Sequence, residues 1–168
     1  YMKFNIFLIA NNKTLTKPYI NTINQIKIND NDKIIRFNHC SNLDIFNKKV
    51  DAITIRNNAT SYWGINSKYV RNIKNKKIYL LGKNDDTDSI IDFFKKSNNS
   101  VTVINYNKNE YSKTDSSGKQ IIDYFRNNKN INKIYLVGFN FHNETTEGSH
   151  NFQIEKIKVL QYNNVILL

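Results

Sequence analysis

Seven short runs rich in Ile, Leu and Val recur along this chain, and between them lie longer polar segments of helical period. The runs are Lys3 to Ala10 (KFNIFLIA), Lys33 to Asn38 (KIIRFN), Asp51 to Arg56 (DAITIR), Lys76 to Gly82 (KKIYLLG), Ser100 to Tyr106 (SVTVINY), Lys133 to Phe139 (KIYLVGF) and a closing NVILL. A near-continuous apolar run of this length, without polar alternation, is a strand covered on both faces. Strands of that kind need helical crossovers between them, so the pattern predicts an α/β domain with a Rossmann-like, largely parallel sheet and helices on both faces. Helices are predicted over Thr14 to Lys27, around Ile90 to Phe94, over Ser117 to Asn128 and over Asn151 to Gln161. In such a sheet the ligand lies at the carboxyl ends of the strands.

The 168 residues suffice for one domain, residues 1–168, with a sizeable core. KKIYLLGKN and NKIYLVGFN are alike because each is a buried strand ended by Gly; they are not a repeat. An apolar content of 39%, with ten Tyr and ten Phe, excludes a disordered chain. A lone cysteine, Cys40, excludes an internal disulfide and fits a reducing compartment. No apolar run is long enough to span a bilayer, and the first apolar run is too short for a secretory signal, so the expected place is the cytoplasm, with peripheral contact at the inner membrane. The formal charge of +11 favours anionic partners, including nucleotide-sugars and acidic membrane surfaces. Part of that charge follows from a general enrichment in Asn, Lys, Ile and Tyr, as AT-rich coding sequence gives, and it carries little weight alone.

There is no Walker loop, no Gly-x-Gly-x-x-Gly, no Gly-x-Ser-x-Gly and no Cys/His metal cluster. Asn29 to Asp32 (NDND) and Asn84 to Asp86 (NDD) have metal-ligand residue types, but short acidic turns are more often solvated loops, and no metal is expected. What remains is a set of small polar residues at predicted strand ends. Asn11 and Asn12 close the first strand, and Asn38 closes the second. Ser116, Ser117 and Gly118 open a helix, Gly138 and Phe139 close a strand, and His150 precedes the last helix. A helix N-terminus carries unpaired N–H groups and a partial positive charge, and Gly lets backbone approach a ligand closely. For Asp115-Ser116-Ser117-Gly118 the plain alternative is a serine helix cap.

These residues, in this order, resemble the sialyltransferases of glycosyltransferase family 29 and their small bacterial relatives. The LIANNKTL stretch looks like the family's Gly-Asn-Ser turn, with Asn11 at the Asn. Arg36-Phe37-Asn38, Phe46, Val50-Asp51 and Arg56 follow the rest of its long motif. Ser116-Ser117-Gly118 through Gly138-Phe139 is similar to its short motif, and His150 with Glu155 five positions later to its last one. Asp115 stands where the family has Pro, Ala52 where it has Gly, and its aromatic and His motif before the final His is reduced to His142.

The resemblance implies a variant of the GT-A fold and a metal-independent, inverting transfer of sialic acid from CMP-sialic acid to a glycan or glycolipid hydroxyl. It implies His150 as general base, a role open to an imidazole near neutral pH. It implies Asn11 and Asn38 on the CMP phosphate and ribose, and Ser116, Ser117 and Gly118 on the donor carboxylate or cytidine. Gly138 would let the nucleotide pass close to the strand end, and His142 would assist the leaving phosphate. Glu155 is expected to be structural, and Arg36 and Arg56 to anchor local carboxylates. Three other readings stay open: a CMP-Kdo-dependent transferase of lipopolysaccharide or capsule assembly, a non-catalytic basic module binding nucleotide or RNA, and a degenerate transferase that binds nucleotide but turns nothing over. Against the RNA reading, the aromatics sit at core spacing within strands with no stacking motif, and no nucleic-acid partner is expected.

Overall fold

In a computed structural model of the chain, the described residues are 3–38, 40–57, 68–83, 85–105, 116–139 and 152–168. His142, His150, Asp115, Asn84, Tyr106 and the expected first helical residue Asn151 lie outside them.

The chain is α/β. Seven strands form one parallel sheet: β1 Phe4–Ile9, β2 Lys33–Phe37, β3 Ala52–Arg56, β4 Lys77–Leu81, β5 Ser100–Ile104, β6 Ile131–Val137 and β7 Val165–Leu167. Their spatial order is β5-β4-β3-β2-β1-β6-β7, and every neighbouring pair is parallel. The helices are α1 Lys17–Asn24, α2 Lys68–Arg71, α3 Thr87–Lys95, α4 Ser117–Arg126 and α5 Phe152–Leu160. The order reverses at β1, whose two neighbours β2 and β6 come from opposite ends of the chain, which makes the β1/β6 boundary the topological switch point.

Alternate residues of each strand feed cores on opposite faces. Ile6 and Leu8 of β1, Ile35 and Phe37 of β2, and Ile134 and Leu136 of β6 pack with Ile121, Ile122 and Phe125 of α4 and Val159 of α5. Phe7, Ile9, Ile34 and Val137 point the other way, to Ile23, Tyr19 and Ile20 of α1. Further along that face Ile53, Ile55, Ile78 and Leu80 meet Val70 of α2 and Ile90 and Phe94 of α3. Burying each such side chain contributes about 1.5–3 kcal/mol, so two-sided burial rather than strand propensity holds the sheet.

The first helix is shorter than its apolar period suggests. Pro18, in its first turn, has no N–H to give, and the Thr16 hydroxyl caps the start by accepting from the Tyr19 N–H at 3.4 Å. The sixth strand stops at Val137 because Gly138 turns left-handed at φ +73°.

Candidate functional site

At the carboxyl edge of the sheet, one chain of contacts links four of the sequence motifs. A Cβ on Gly118, in the first turn of α4, would stand 2.8 Å from the Phe139 ring, which follows β6. That ring meets Phe37, at the end of β2, edge-on at 5.9 Å. The Phe37 carbonyl accepts from the Asn11 amide, just past β1, at 2.8 Å. Asn12 in turn donates to the Gly138 carbonyl at 3.1 Å. Asn11, Asn38, Gly138 and Ser116 to Gly118, remote in sequence, therefore sit at one edge. The absent Cβ of Gly118 is what lets α4 close onto Phe139.

Several of these residues already have partners. The Asn11 side chain, besides its bond to Phe37, accepts from the Ser41 N–H at 2.9 Å and the Ser41 hydroxyl at 2.8 Å. Gly138 donates its N–H to the Tyr19 hydroxyl at 2.8 Å, and a Cβ there would meet Leu15 at 2.9 Å. That hydroxyl also donates to the Leu168 carbonyl at 2.9 Å, and burial raises its pKa. Gly138 thus serves a left-handed turn packed on α1.

Ser116 is the N-cap of α4, and its hydroxyl accepts from the Lys119 N–H at 3.2 Å. Its own N–H and O–H both donate to the Glu155 carboxylate, at 2.7 and 2.5 Å. Glu155 belongs to α5 and is buried. The chain therefore seats one of its own anions at this helix N-terminus, where the dipole favours negative charge. Glu155, expected to be structural, thus has a partner, Ser116, that no local spacing announces.

Among the described residues, the polar groups left without a hydrogen-bond partner here are specific. They include the backbone N–H groups of Asn11 and Asn12, the side-chain nitrogen of Asn38, the Ser117 hydroxyl, and the N–H groups of Ser117 and Gly118. Asn38 adopts a left-handed φ of 44° while its N–H holds the Thr54 carbonyl and its oxygen accepts from the Arg56 N–H at 3.3 Å. That pose fixes the amide at the end of β2 with its nitrogen available.

The loop after Asn38 is unusual. Asn38, Cys40, Asn42, Phe46, Asn47 and Lys48 all have positive φ, the last three consecutively. A left-handed non-Gly residue costs roughly 1–2 kcal/mol, so the surroundings must hold this path. Arg36 does much of that. It is fully buried and donates to three backbone carbonyls, Lys49 at 3.1 Å, Asn42 at 2.9 Å and Ile45 at 2.6 Å. The expectation that Arg36 anchors a carboxylate is corrected: its fork matches the carbonyls of a loop whose left-handed turns aim them inward, and burial lowers its pKa. Asn42 adds bonds from its amide to the Ala10 and Asn12 carbonyls, each 2.8 Å, tying this loop to the end of β1.

The acidic turn at Asn29 to Asp32 is also internally used. Asp32 is buried and accepts from the Asn5 N–H at 2.8 Å and the Asn29 N–H at 3.1 Å, at the opposite, amino edge of the sheet. Cys40 is buried, and burial pushes its thiol up to about 12, which leaves it unreactive near neutral pH. No helix among the described residues is long and apolar enough to cross a membrane. Comparison with protein-family models, curated proteins and solved structures finds no match.

Proposed function

We propose that the chain is a glycosyltransferase that moves an acidic 2-keto sugar, sialic acid, from its CMP-activated donor to the hydroxyl of a glycan or glycolipid, in the cytoplasm. The reading rests on one observation above all: the contacts from Gly118 through Phe139 and Phe37 to Asn11 gather the motif residues at the switch-point edge. Open α/β sheets bind ligands at that edge.

In this reading the open donors divide the work. The N–H groups of Asn11 and Asn12 and the Asn38 amide face the CMP phosphate and ribose, supplying fixed dipoles as charge develops on the leaving phosphate. The Ser117 hydroxyl and the N–H groups of Ser117 and Gly118 take the sugar carboxylate or a cytidine carbonyl, orienting the anomeric carbon for attack. Ser116 acts indirectly, since its donors are committed to Glu155. His150 takes the proton from the acceptor hydroxyl as it attacks, CMP departs with the bonding electrons, and the anomeric centre inverts. His142 assists the departing phosphate.

The test is a donor screen scored by hydrolysis, with CMP-sialic acid, CMP-Kdo and single-stranded RNA offered in parallel, so that no acceptor need be chosen. Release of CMP from CMP-sialic acid, lost in His150→Ala with CMP binding retained, supports the proposal. Turnover of CMP-Kdo alone reassigns the donor. Steeply salt-dependent RNA binding with no response to CMP overturns it.

A further inference from the structure

Helix α5 presents apolar residues on the side facing away from the core. Its inner side carries the buried Glu155 and Val159, the latter packed in the core beneath α4. At about 100° per residue, Glu155 and Val159 lie on the flank opposite Ile157. Yet Ile157 is 62% exposed, with Ile154 at 48% and Leu160 at 45%. These three form a ridge over the outward arc, one every third residue. A surface helix ordinarily turns polar residues outward, so this ridge points to a partner.

The rim of the ridge is basic. Lys156 and Lys158 flank Ile157 on either side at about 100° around the helix. Just beyond the C-terminal end of α5, the Lys133 ammonium donates to the Asn163 carbonyl at 3.3 Å, while the Arg126 guanidinium stacks over the Tyr162 ring at 4.3 Å and is paired with Asp123 at 3.6 Å. Gln153 is the one polar side chain within the ridge, so a partner there meets aliphatic surface edged by cations and needs little directional hydrogen bonding.

From this combination we infer that α5 docks the protein on an anionic lipid surface, with Ile154, Ile157 and Leu160 entering the acyl boundary and the basic rim meeting the headgroups. A second copy of the chain is disfavoured by charge: pairing two ridges would bring two basic rims together in a chain of net charge +11. The inference is independent of the transfer chemistry proposed above.

Co-sedimentation of the full chain with vesicles tests it, comparing phosphatidylcholine alone with phosphatidylcholine mixed with phosphatidylglycerol. The expected result is binding to the anionic vesicles, weakened by salt, and little binding to the neutral ones. Ile157→Asp is expected to weaken it about tenfold or more. Lys156→Glu with Lys158→Glu is expected to abolish it. Ile157 and Lys158 are exposed and Lys156 is half-buried, and unchanged urea denaturation curves verify that the variants fold. The inference is overturned if anionic vesicles do not bind the protein. It is equally overturned if Ile157→Asp binds them as well as the parent, which would make the contact one of charge alone. A concentration-dependent dimer abolished by Ile157→Asp, seen in sedimentation velocity, would assign the ridge to a second copy instead.

Discussion

The two edges of the sheet use the same small polar residues in different ways. At the amino edge Asn99, Asp51 and Asp32 are closed by backbone partners. Asn99, buried before β5, accepts from the Lys76 N–H at 2.9 Å and donates to the Ile73 and Phe94 carbonyls at 3.0 and 3.2 Å. Asp51, before β3, accepts from the Ile34 N–H at 2.8 Å, and Asp32 takes two N–H groups at the start of β2. At the carboxyl edge Asn11 and Asn42 are equally bound, but Asn38, Ser117 and Gly118 keep open donors. Residue type therefore marks a sheet edge without saying which edge keeps open donors. The difference lies in which donors remain after the fold has used the rest.

The largest test of that contrast is Asn99→Ala. It leaves the Lys76 N–H and the Ile73 carbonyl without their partner, while the Phe94 carbonyl keeps the Ser97 and residue-99 N–H groups, and is expected to cost about 2–3 kcal/mol in urea denaturation, with CMP binding by the folded protein unchanged. At the other edge, Asn38→Gly removes the open amide while glycine takes the left-handed φ without strain. It is expected to weaken CMP about tenfold in calorimetry and to move stability by less than about 1 kcal/mol. A stability loss as large as that of Asn99→Ala would place Asn38 with the closed groups and end the comparison.

Glu155→Gln gives a smaller effect. It keeps an acceptor for the Ser116 N–H and removes the negative charge at the start of α4. If the sugar carboxylate sits on Ser117 and Gly118, the affinity for a CMP-sugar should rise about threefold relative to CMP alone. An equal change for both ligands would put the cytidine there.

The smallest effect near neutrality concerns proton linkage. Burial raises Cys40 from 9.0 and Tyr79 from 10.0, each to about 12. Both are neutral when protonated, so the folded state holds these protons more tightly than the unfolded one. Their contribution to stability is complete below pH 9 and is lost as pH rises toward 12. Stability measured from pH 8 to 11 should fall, and Tyr79→Phe should remove the part that begins above pH 10.

Two-sided burial made the strands legible. FNIFLI and KIYLV can be little else when Gly or Asn closes them and helical periods separate them. The limits of α1 were less so, because Leu15 and Ile26 continue its period outside the helix while Thr16 and Pro18 set its start. The loop from Asn38 to Lys48 was not legible at all. Its asparagines hint at left-handed backbone, but Phe46 holds that conformation with its N–H on the Asn24 side chain and its ring against Phe7, contacts that no local pattern announces. The partner of Glu155 was hidden for the same reason: it is Ser116, 39 positions away, and no local pattern encodes such a pair.

The place of β1 between β2 and β6 also has a consequence for synthesis. Ile6 to Ile9 pair with residues 33–36 on one side and with residues 134–137 on the other. A ribosome adds about 5–20 residues per second, so the second edge of this apolar strand waits on the order of ten seconds for its partner to emerge. During that interval the nascent chain carries an unfinished hydrophobic template. A chaperone that holds such edges would meet this protein before β1 is closed on its second side.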